Sequence, residues 1–183
     1  MTEAHKNSNA DQVILVDSSD QQLGKMEKLE AHRQGKLHRA FSVFLLNNNN
    51  EMLLQQRALG KYHSGGLWTN ACCSHPRPGE STDDAALRRL REELGISCPL
   101  TMSFSFLYHV SLDKGMFEHE YDHVYTGRFS GTPDVNPEEV ADWKFTSLET
   151  IDDDLEIRPY LYTHWFHIAY RRLRELPGFT NNL

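Results

Sequence analysis

The stretch from residue 68 to residue 76, Trp-Thr-Asn-Ala-Cys-Cys-Ser-His-Pro, constrains the fold and the chemistry more than any other part of the chain. In an extended strand, side chains alternate between the two faces with a period of two. Cys73 and His75 are therefore predicted to lie on one face, and Cys72 to point the other way, towards packing. A thiol beside an imidazole indicates a reactive or metal-binding site. The alternative is a buried strand that merely carries small residues.

A second pair with the same spacing, Glu118-x-Glu120, favours the functional interpretation, together with His32 and His38. With His75, these side chains would make a set of five ligands with room for a sixth. Nitrogen plus oxygen ligands suit zinc, manganese or ferrous iron better than magnesium alone. The chain contains 10 histidines, however, so spacing alone leaves open that any one of them is a surface or core residue.

Length and charge narrow the class of protein. A chain of 183 residues fits one globular domain, which we expect at residues 13–183 after a polar N-terminal tail at residues 1–12. The net charge of −7 argues against a nucleic-acid partner but permits a small anionic substrate. No run approaches the roughly 20 apolar residues of a membrane helix.

Three cysteines make a poor disulfide framework, so we expect a cytoplasmic protein. No coiled coil is evident, and we expect a monomer.

The alternation of apolar and turn residues predicts mostly strands with helices between them. Residues 40–46 and 52–57 are predicted to form a hairpin around an Asn-rich turn, and residues 58–67 a loop. A helix is predicted from the capping residues 81–84 to the stop at Gly95, a weaker one within 24–35 and a last one over 160–176. Further strands are expected at 13–16, 102–112, 118–129 and 141–145. The result is an α+β fold, a mixed β-sheet covered by helices.

The segment from Gly79 to Ile96 resembles the Nudix box, a loop and helix whose glutamates hold magnesium against a diphosphate. Two positions depart from that pattern: the opening glycine is Ser74, and the metal-binding glutamate after the arginine is Arg89. A basic residue there favours gripping a phosphate over arranging a hydrolytic water. A solvated, salt-bridged helix face is the alternative. The matching positions are Glu80, Arg88, Glu92, Glu93 and Gly95-Ile96.

From about Leu23 to Trp165 the chain closely resembles the type I isopentenyl-diphosphate isomerases, which have a Nudix-like fold with helices on both sides of the mixed sheet. Trp-Thr-Asn-x-Cys-Cys-Ser-His-Pro combined with Glu-x-Glu is a very specific signature. Other segments that carry the resemblance are Met-Glu-Lys-Leu-Glu-Ala-His (26–32), Leu-His-Arg-Ala-Phe (37–41), Gln-Arg-Ala (56–58), residues 88–95 and Glu-His-Glu-Tyr-Asp (118–122).

The resemblance implies a role for each matching side chain. Cys73 and Glu120 would be the catalytic pair, assisted by Tyr108, and either of the two can be the proton donor. Glu93 would help to hold Mg²⁺ on the substrate diphosphate. A further divalent metal (Mn²⁺, Zn²⁺ or Mg²⁺) would be bound by His32, His38, His75, Glu118 and Glu120. The substrate-binding residues would be Lys28, Arg57, Lys61, Ser74, Arg89 and Trp165.

The implied reaction moves a double bond by adding a proton at one carbon and removing one from another. Protonation of an unactivated alkene gives a tertiary carbocation that water would capture, so the site must be dry. An indole face such as that of Trp165 can stabilise the cation. A Nudix-type diphosphohydrolase is the alternative enzyme, and a non-catalytic metal- or diphosphate-binding module is the alternative without chemistry.

Overall fold

A computed structural model describes residues 11–177 and residue 179, so residues 1–10 of the predicted tail lie outside the described residues. Within them, the chain forms nine strands and four α-helices. In chain order these are β1 (Gln12–Val16), β2 (Gln22–Glu27), α1 (Lys28–Gln34), β3 (His38–Leu46), β4 (Met52–Arg57), β5 (Trp68–Thr69), β6 (Cys72–Ser74), α2 (Thr82–Leu94), β7 (Leu100–Ser111), β8 (Phe117–Arg128), β9 (Val140–Thr146), α3 (Leu148–Ile157) and α4 (His164–Glu175).

Strand β3 is the centre of the sheet. It pairs in parallel with β8 along its whole length, from His38 opposite Glu120 to Leu46 opposite Arg128. Strand β6 pairs with β3 in the antiparallel direction, and β8 pairs with β7 in the same antiparallel sense. Parallel and antiparallel ladders therefore occur in one sheet, as the prediction of a mixed sheet requires.

Alternate side chains of β3 enter two separate cores because strand side chains point to opposite faces. Phe41, Val43 and Leu45 pack on the side of α2. Phe44 and Leu46 pack on the side of α3 and α4. Helices thus cover both faces of the sheet, which confirms the predicted α+β fold class. None of the described helices has the length and apolar character needed to span a membrane.

The predicted hairpin is only partly correct. The turn exists, but β3 and β4 pair at a single position, Leu46 opposite Met52. Beyond it the strands separate because β6 occupies the edge of β3 at residues 41–43. Strand β4 pairs instead with β5 and along its length with β9. The predicted strand over residues 68–76 is likewise two short strands, and the Asn70 side chain bonds to the carbonyls of Val43 and Cys72 at the break.

The helices differ from prediction in three places. The weak helix predicted over residues 24–35 is shorter than expected, because residues 22–27 form β2 and only α1 is helical. Glu27 caps α1, and Gly35, with a φ of 60°, ends it. The last helix begins at His164, because Tyr162 is still held beside Trp68 by a parallel bridge. Helix α3 was not predicted; its cap is Ser147. The prediction for α2, capped by Ser81 and ended by Gly95, is correct.

Candidate metal centre and active site

Five side chains from four parts of the fold meet at one end of the β3–β8 pair. His38 and Glu120 are register partners on these two parallel strands, so their side chains lie next to each other. The potential ligand atoms of all five side chains lie within 4.8 Å of one another. We call this set the His/Glu cluster; its members are His32, His38, His75, Glu118 and Glu120.

Backbone carbonyls orient two of the imidazoles. Nδ1 of His32 lies 2.7 Å from the carbonyl oxygen of Lys28, and Nδ1 of His38 lies 2.7 Å from that of Lys36. A carbonyl oxygen only accepts, so each Nδ1 must carry the proton and donate it. The lone pair of each neutral ring is then on Nε2, which faces the cluster. This is the arrangement that metal-binding histidines commonly show.

The cluster fits the divalent metal that the sequence resemblance implies. His32 Nε2 and Glu118 Oε2 are 3.3 Å apart and buried, yet neither atom has a hydrogen-bond partner among the described residues. Two acceptors that face each other in a dry site are unfavourable unless a cation lies between them. Three imidazole nitrogens with carboxylate oxygens are suitable ligands for such an ion.

The protonation states within the cluster also suit metal binding. Burial alone would raise the pKa of Glu118, but the imidazoles of His32 and His63 beside it hold its pKa well below the usual value. Burial lowers the pKa of His75 to about 3, so its ring is neutral at physiological pH. Glu118 is therefore held as a carboxylate and His75 as a neutral imidazole, the forms that bind metals. Burial would lower the pKa of His32, but the neighbouring carboxylate of Glu118 outweighs the effect of burial and raises that pKa.

Glu120 connects the cluster to Tyr108, whose hydroxyl can transfer a proton. Its Oε1 lies 2.8 Å from His75 Nε2, while its Oε2 accepts a 2.6 Å hydrogen bond from the hydroxyl of Tyr108. Burial and the charge of Glu120 raise the pKa of Tyr108 well above its usual value, so the hydroxyl keeps its proton. Burial likewise raises the pKa of the Cys73 thiol to about 12, so the neutral thiol is the resting form.

One cavity of about 310 Å³ brings the thiol and the carboxylate next to an aromatic side chain. Cys73, Glu120 and Trp165 all line it. Trp165 is 3% exposed, and the guanidinium of Arg57 lies 5.3 Å from its ring centroid. Arg57 Nη1 also lies 3.9 Å from Cys73 Sγ. Cys72 is fully buried in the core beneath α2, as the alternation of the strand predicts.

The predicted cationic side chains Lys28, Arg57, Lys61 and Arg89 line the same cavity, and we call them the cationic cradle. Burial, followed by repulsion from Lys61 and Arg89, lowers the pKa of Lys28. Positive charges crowded to this degree would be relieved by a bound anion. Lys61 and Arg89 are held by a shared partner, Glu139, which bonds to Lys61 and lies 3.1 Å from Arg89.

The Nudix-like helix contributes the acidic part of the cavity. Glu93 is 4% exposed and accepts hydrogen bonds from Arg89 at 2.6 Å and from Gln55 at 3.0 Å. Glu80 instead receives two bonds from Arg88, at 2.6 and 2.8 Å, which tie the loop to α2. The remaining predicted substrate-binding residue, Ser74, ends β6 and lines the cavity.

Several residues at or beside the site are not among the predicted site residues. Asp122 follows Glu118 and Glu120 at the same spacing of two, so the sequence pattern itself points to Asp122. Its carboxylate accepts a 2.8 Å hydrogen bond from Ser42, and burial raises the pKa of Asp122 well above the usual value. Glu139 lies between the strands predicted at 118–129 and 141–145, where no motif marks it. His63 lies in the predicted loop, where no spacing marks it, yet its Nε2 is 3.1 Å from Glu118 Oε1.

Comparisons with known proteins agree with this architecture. The sequence matches the NUDIX domain over residues 36–166. It is 51% identical to Isopentenyl-diphosphate Delta-isomerase 2 of Aromatoleum aromaticum over 171 residues, covering 92% of this chain and 90% of the relative. It is 48% identical to Isopentenyl-diphosphate Delta-isomerase of Pectobacterium atrosepticum, covering 90% of this chain and 92% of that protein.

Solved structures support the fold at lower identity. The protein DR0079 from Deinococcus radiodurans aligns with a TM-score of 0.75 at 19% identity, covering 88% of this chain and 98% of that chain. The MutT protein from Methanosarcina mazei aligns with a TM-score of 0.61 at 18% identity, covering 75% and 93% of the two chains. At these identities the structural match concerns the fold alone.

Proposed function

This chain belongs to the NUDIX domain family and, within it, to the isopentenyl-diphosphate Delta-isomerases, and from that premise we propose that it interconverts isopentenyl and dimethylallyl diphosphate. The observation that carries the proposal is the position of Glu120. It lines the same cavity as Cys73 and Trp165, and it joins the His/Glu cluster to the hydroxyl of Tyr108. A carboxyl and a thiol that line one cavity are what a double-bond shift by proton transfer needs.

The cavity offers side chains suited to both ends of a prenyl diphosphate. The cationic cradle would bind the diphosphate, with Glu93 holding the Mg²⁺ that accompanies it. Anchoring this end orients the hydrocarbon, which then lies towards Trp165. The diphosphate is not cleaved, which accords with Arg89 at the position where the Nudix box has a metal-binding glutamate.

Two proton transfers complete the isomerisation. One group of the pair Cys73 and Glu120 gives a proton to the terminal alkene carbon, which leaves a cation on the adjacent tertiary carbon. The other group removes a proton from the methylene on the far side of that tertiary carbon. Because the tertiary cation between these steps would be captured by water, the bound substrate must exclude water from the cavity. The indole face of Trp165 would stabilise the cation by about 2 kcal/mol when desolvated. Tyr108 keeps a proton in contact with Glu120 Oε2 and can relay it.

The His/Glu cluster would hold the second divalent ion, Mn²⁺, Zn²⁺ or Mg²⁺. When bound, that ion supplies positive charge that changes the acidity of Glu120. The chain's own contribution is to fix the carboxylate, because Oε1 is engaged within the cluster while Oε2 remains in contact with Tyr108.

We propose further that the protein acts on this small molecule as a monomer and without nucleic acid or membrane, in the cytoplasm. The net charge of −7 supports a function without nucleic acid. The cysteines Cys72, Cys73 and Cys98 are free thiols, the form expected in a reducing compartment.

The decisive experiment follows deuterium from solvent into the allylic product. The unaltered protein should incorporate label into dimethylallyl diphosphate, and Cys73→Ala should reduce turnover by about 100-fold or more, the scale of a lost proton-transfer group. Cys98→Ala, which removes a half-buried thiol that does not line the cavity, is the matched control and should retain activity. Near-normal turnover of Cys73→Ala would overturn the mechanism.

The same assay separates the alternatives. A Nudix-type diphosphohydrolase would release phosphate without introducing label into an allylic product. A non-catalytic module would bind the diphosphate tightly and leave isopentenyl diphosphate unchanged.

A further inference from the structure

His63 makes a contact with the His/Glu cluster although it is not one of the five clustered side chains. It is 2% exposed, and its Nε2 lies 3.1 Å from Glu118 Oε1. The other carboxylate oxygen, Oε2, is the one directed to His32 Nε2 at 3.3 Å. The two oxygens of Glu118 therefore face different imidazoles, and only Oε2 lacks a hydrogen-bond partner among the described atoms.

Glu118 and Ser64 together favour one tautomer of His63, because a carboxylate oxygen only accepts whereas a hydroxyl can donate or accept. Nδ1 of His63 lies 3.2 Å from Oγ of Ser64, a hydroxyl that can donate its proton to the ring. With Nδ1 accepting, the proton of the neutral ring is on Nε2, which can then donate to Glu118 Oε1. The backbone N–H of Ser64 is itself held by Asp113 Oδ1 at 3.3 Å.

The loop that carries His63 has an unusual backbone conformation. Ser64 has a φ of 52° and Gly66 a φ of 81°, both in the left-handed region. A Cβ atom on Gly65 would lie 2.7 Å from the carbonyl oxygen of Leu59, so a larger residue would displace the loop. Such a backbone is maintained only where its surroundings determine it, which is common at functional sites.

His63 also contacts the aromatic wall of the cavity. Its ring packs edge-to-face on Trp165 with centroids 5.9 Å apart and planes at 90°. The carbonyl oxygen of His63 accepts a 3.3 Å bond from Arg57 Nη2. One residue thus touches the metal-binding carboxylate, the indole and a member of the cationic cradle.

We propose that His63 is a positioning residue for the metal centre. By donating to Oε1 of Glu118, it turns Oε2 towards His32 and restricts the carboxylate to one ligating oxygen. Metal ligands held by such an outer hydrogen bond lose less conformational freedom on binding, and removing the bond typically weakens metal affinity by about 10- to 100-fold. This inference rests on the metal centre of the proposed function.

The test is equilibrium binding of Mn²⁺ to the purified, metal-free protein, followed by electron paramagnetic resonance. His63→Ala should weaken Mn²⁺ binding by about 10- to 100-fold. His63→Gln, whose amide can still donate to Glu118, should recover most of the affinity. His123→Ala is the matched control and should bind as the unaltered protein does, because it removes an imidazole 3.0 Å from a different carboxylate, Asp20.

Three results would contradict the proposal. Equal Mn²⁺ affinity of His63→Ala and the unaltered protein would remove His63 from the metal centre while leaving the proposed function intact. Electron–nuclear couplings to four imidazoles rather than three would make His63 a ligand, not a positioning residue. Absence of an Mn²⁺ site in the unaltered protein would overturn the metal centre itself and this inference with it.

Discussion

The two carboxylate oxygens of Glu120 lie in different surroundings, and this asymmetry is central to the site. Oε1 faces the imidazoles of His38 and His75, whereas Oε2 accepts a hydrogen bond from the hydroxyl of Tyr108. Burial and the charge of Glu118 would raise the pKa of Glu120, but the two imidazoles outweigh them and lower it. The carboxylate is thus kept ionised and able to accept a proton.

At the residue scale, Tyr108→Phe should lower the turnover of isopentenyl diphosphate with little effect on its binding. The variant keeps the buried ring but removes the 2.6 Å hydrogen bond to Glu120. A lost proton relay commonly costs about 100-fold or more in rate. Steady-state kinetics of label incorporation would measure kcat and KM separately.

Tyr125→Phe is the control for that experiment. Tyr125 lies on the neighbouring strand β8, and its hydroxyl also donates to a carboxylate, that of Asp83, in the core beneath α2. It should keep the normal kcat. Equal losses in the two variants would show that the effect comes from the loss of a buried hydroxyl rather than from contact with Glu120.

At the element scale, strand β8 supplies both glutamates and must lie close to its neighbours β3 and β7. Gly127 permits this approach at the far end of the strand, where it pairs with Leu45 and Leu100. A Cβ atom at this position would lie 2.7 Å from the carbonyl oxygen of Pro99. Backbone atoms cannot move away as a flexible side chain can.

Gly127→Ala should therefore lower the free energy of unfolding by about 1–3 kcal/mol, the usual cost of overpacking. Urea denaturation followed by circular dichroism measures this change. Gly24→Ala is the matched control, because Gly24 also lies in a strand but nothing surrounds its Cβ position within 4 Å. A Gly127→Ala protein as stable as Gly24→Ala would contradict the predicted contact.

At the scale of the whole molecule, metal binding should couple to stability. The cluster gathers side chains from α1, β3, β8 and the segment after β6, so an ion there joins parts of the chain that are distant in sequence. A ligand that binds only the folded state stabilises it by about 2.7 kcal/mol at a free concentration of 100 times Kd. Chelation should lower Tm accordingly.

Differential scanning calorimetry with and without Mn²⁺ would measure this shift. His32→Ala, which removes a cluster ligand, should lose the metal-dependent rise in Tm, whereas His167→Ala, whose ring bonds to the carbonyl of Pro159 outside the cluster, should retain it. A shift of the same size in His32→Ala would place the stabilising ion elsewhere.

The sequence by itself determined the features that depend on local periodicity. The period of two in a strand places Glu118 and Glu120 on one face and sends Cys72 into the core. The capping residue Ser81 and the stop at Gly95 bound α2. The family signature is likewise local, because its residues lie in short continuous motifs.

Only the tertiary structure decided which strands pair and which distant side chains meet. The pairing of β6 with β3 separates the two strands of the predicted hairpin, β3 and β4. No local sequence pattern encodes which strand pairs with β3. His63 and Glu139 reach the cavity from a predicted loop and from a connection between two predicted strands, where no motif marks them. Their roles depend on three-dimensional proximity, which long-range packing creates and periodicity cannot express.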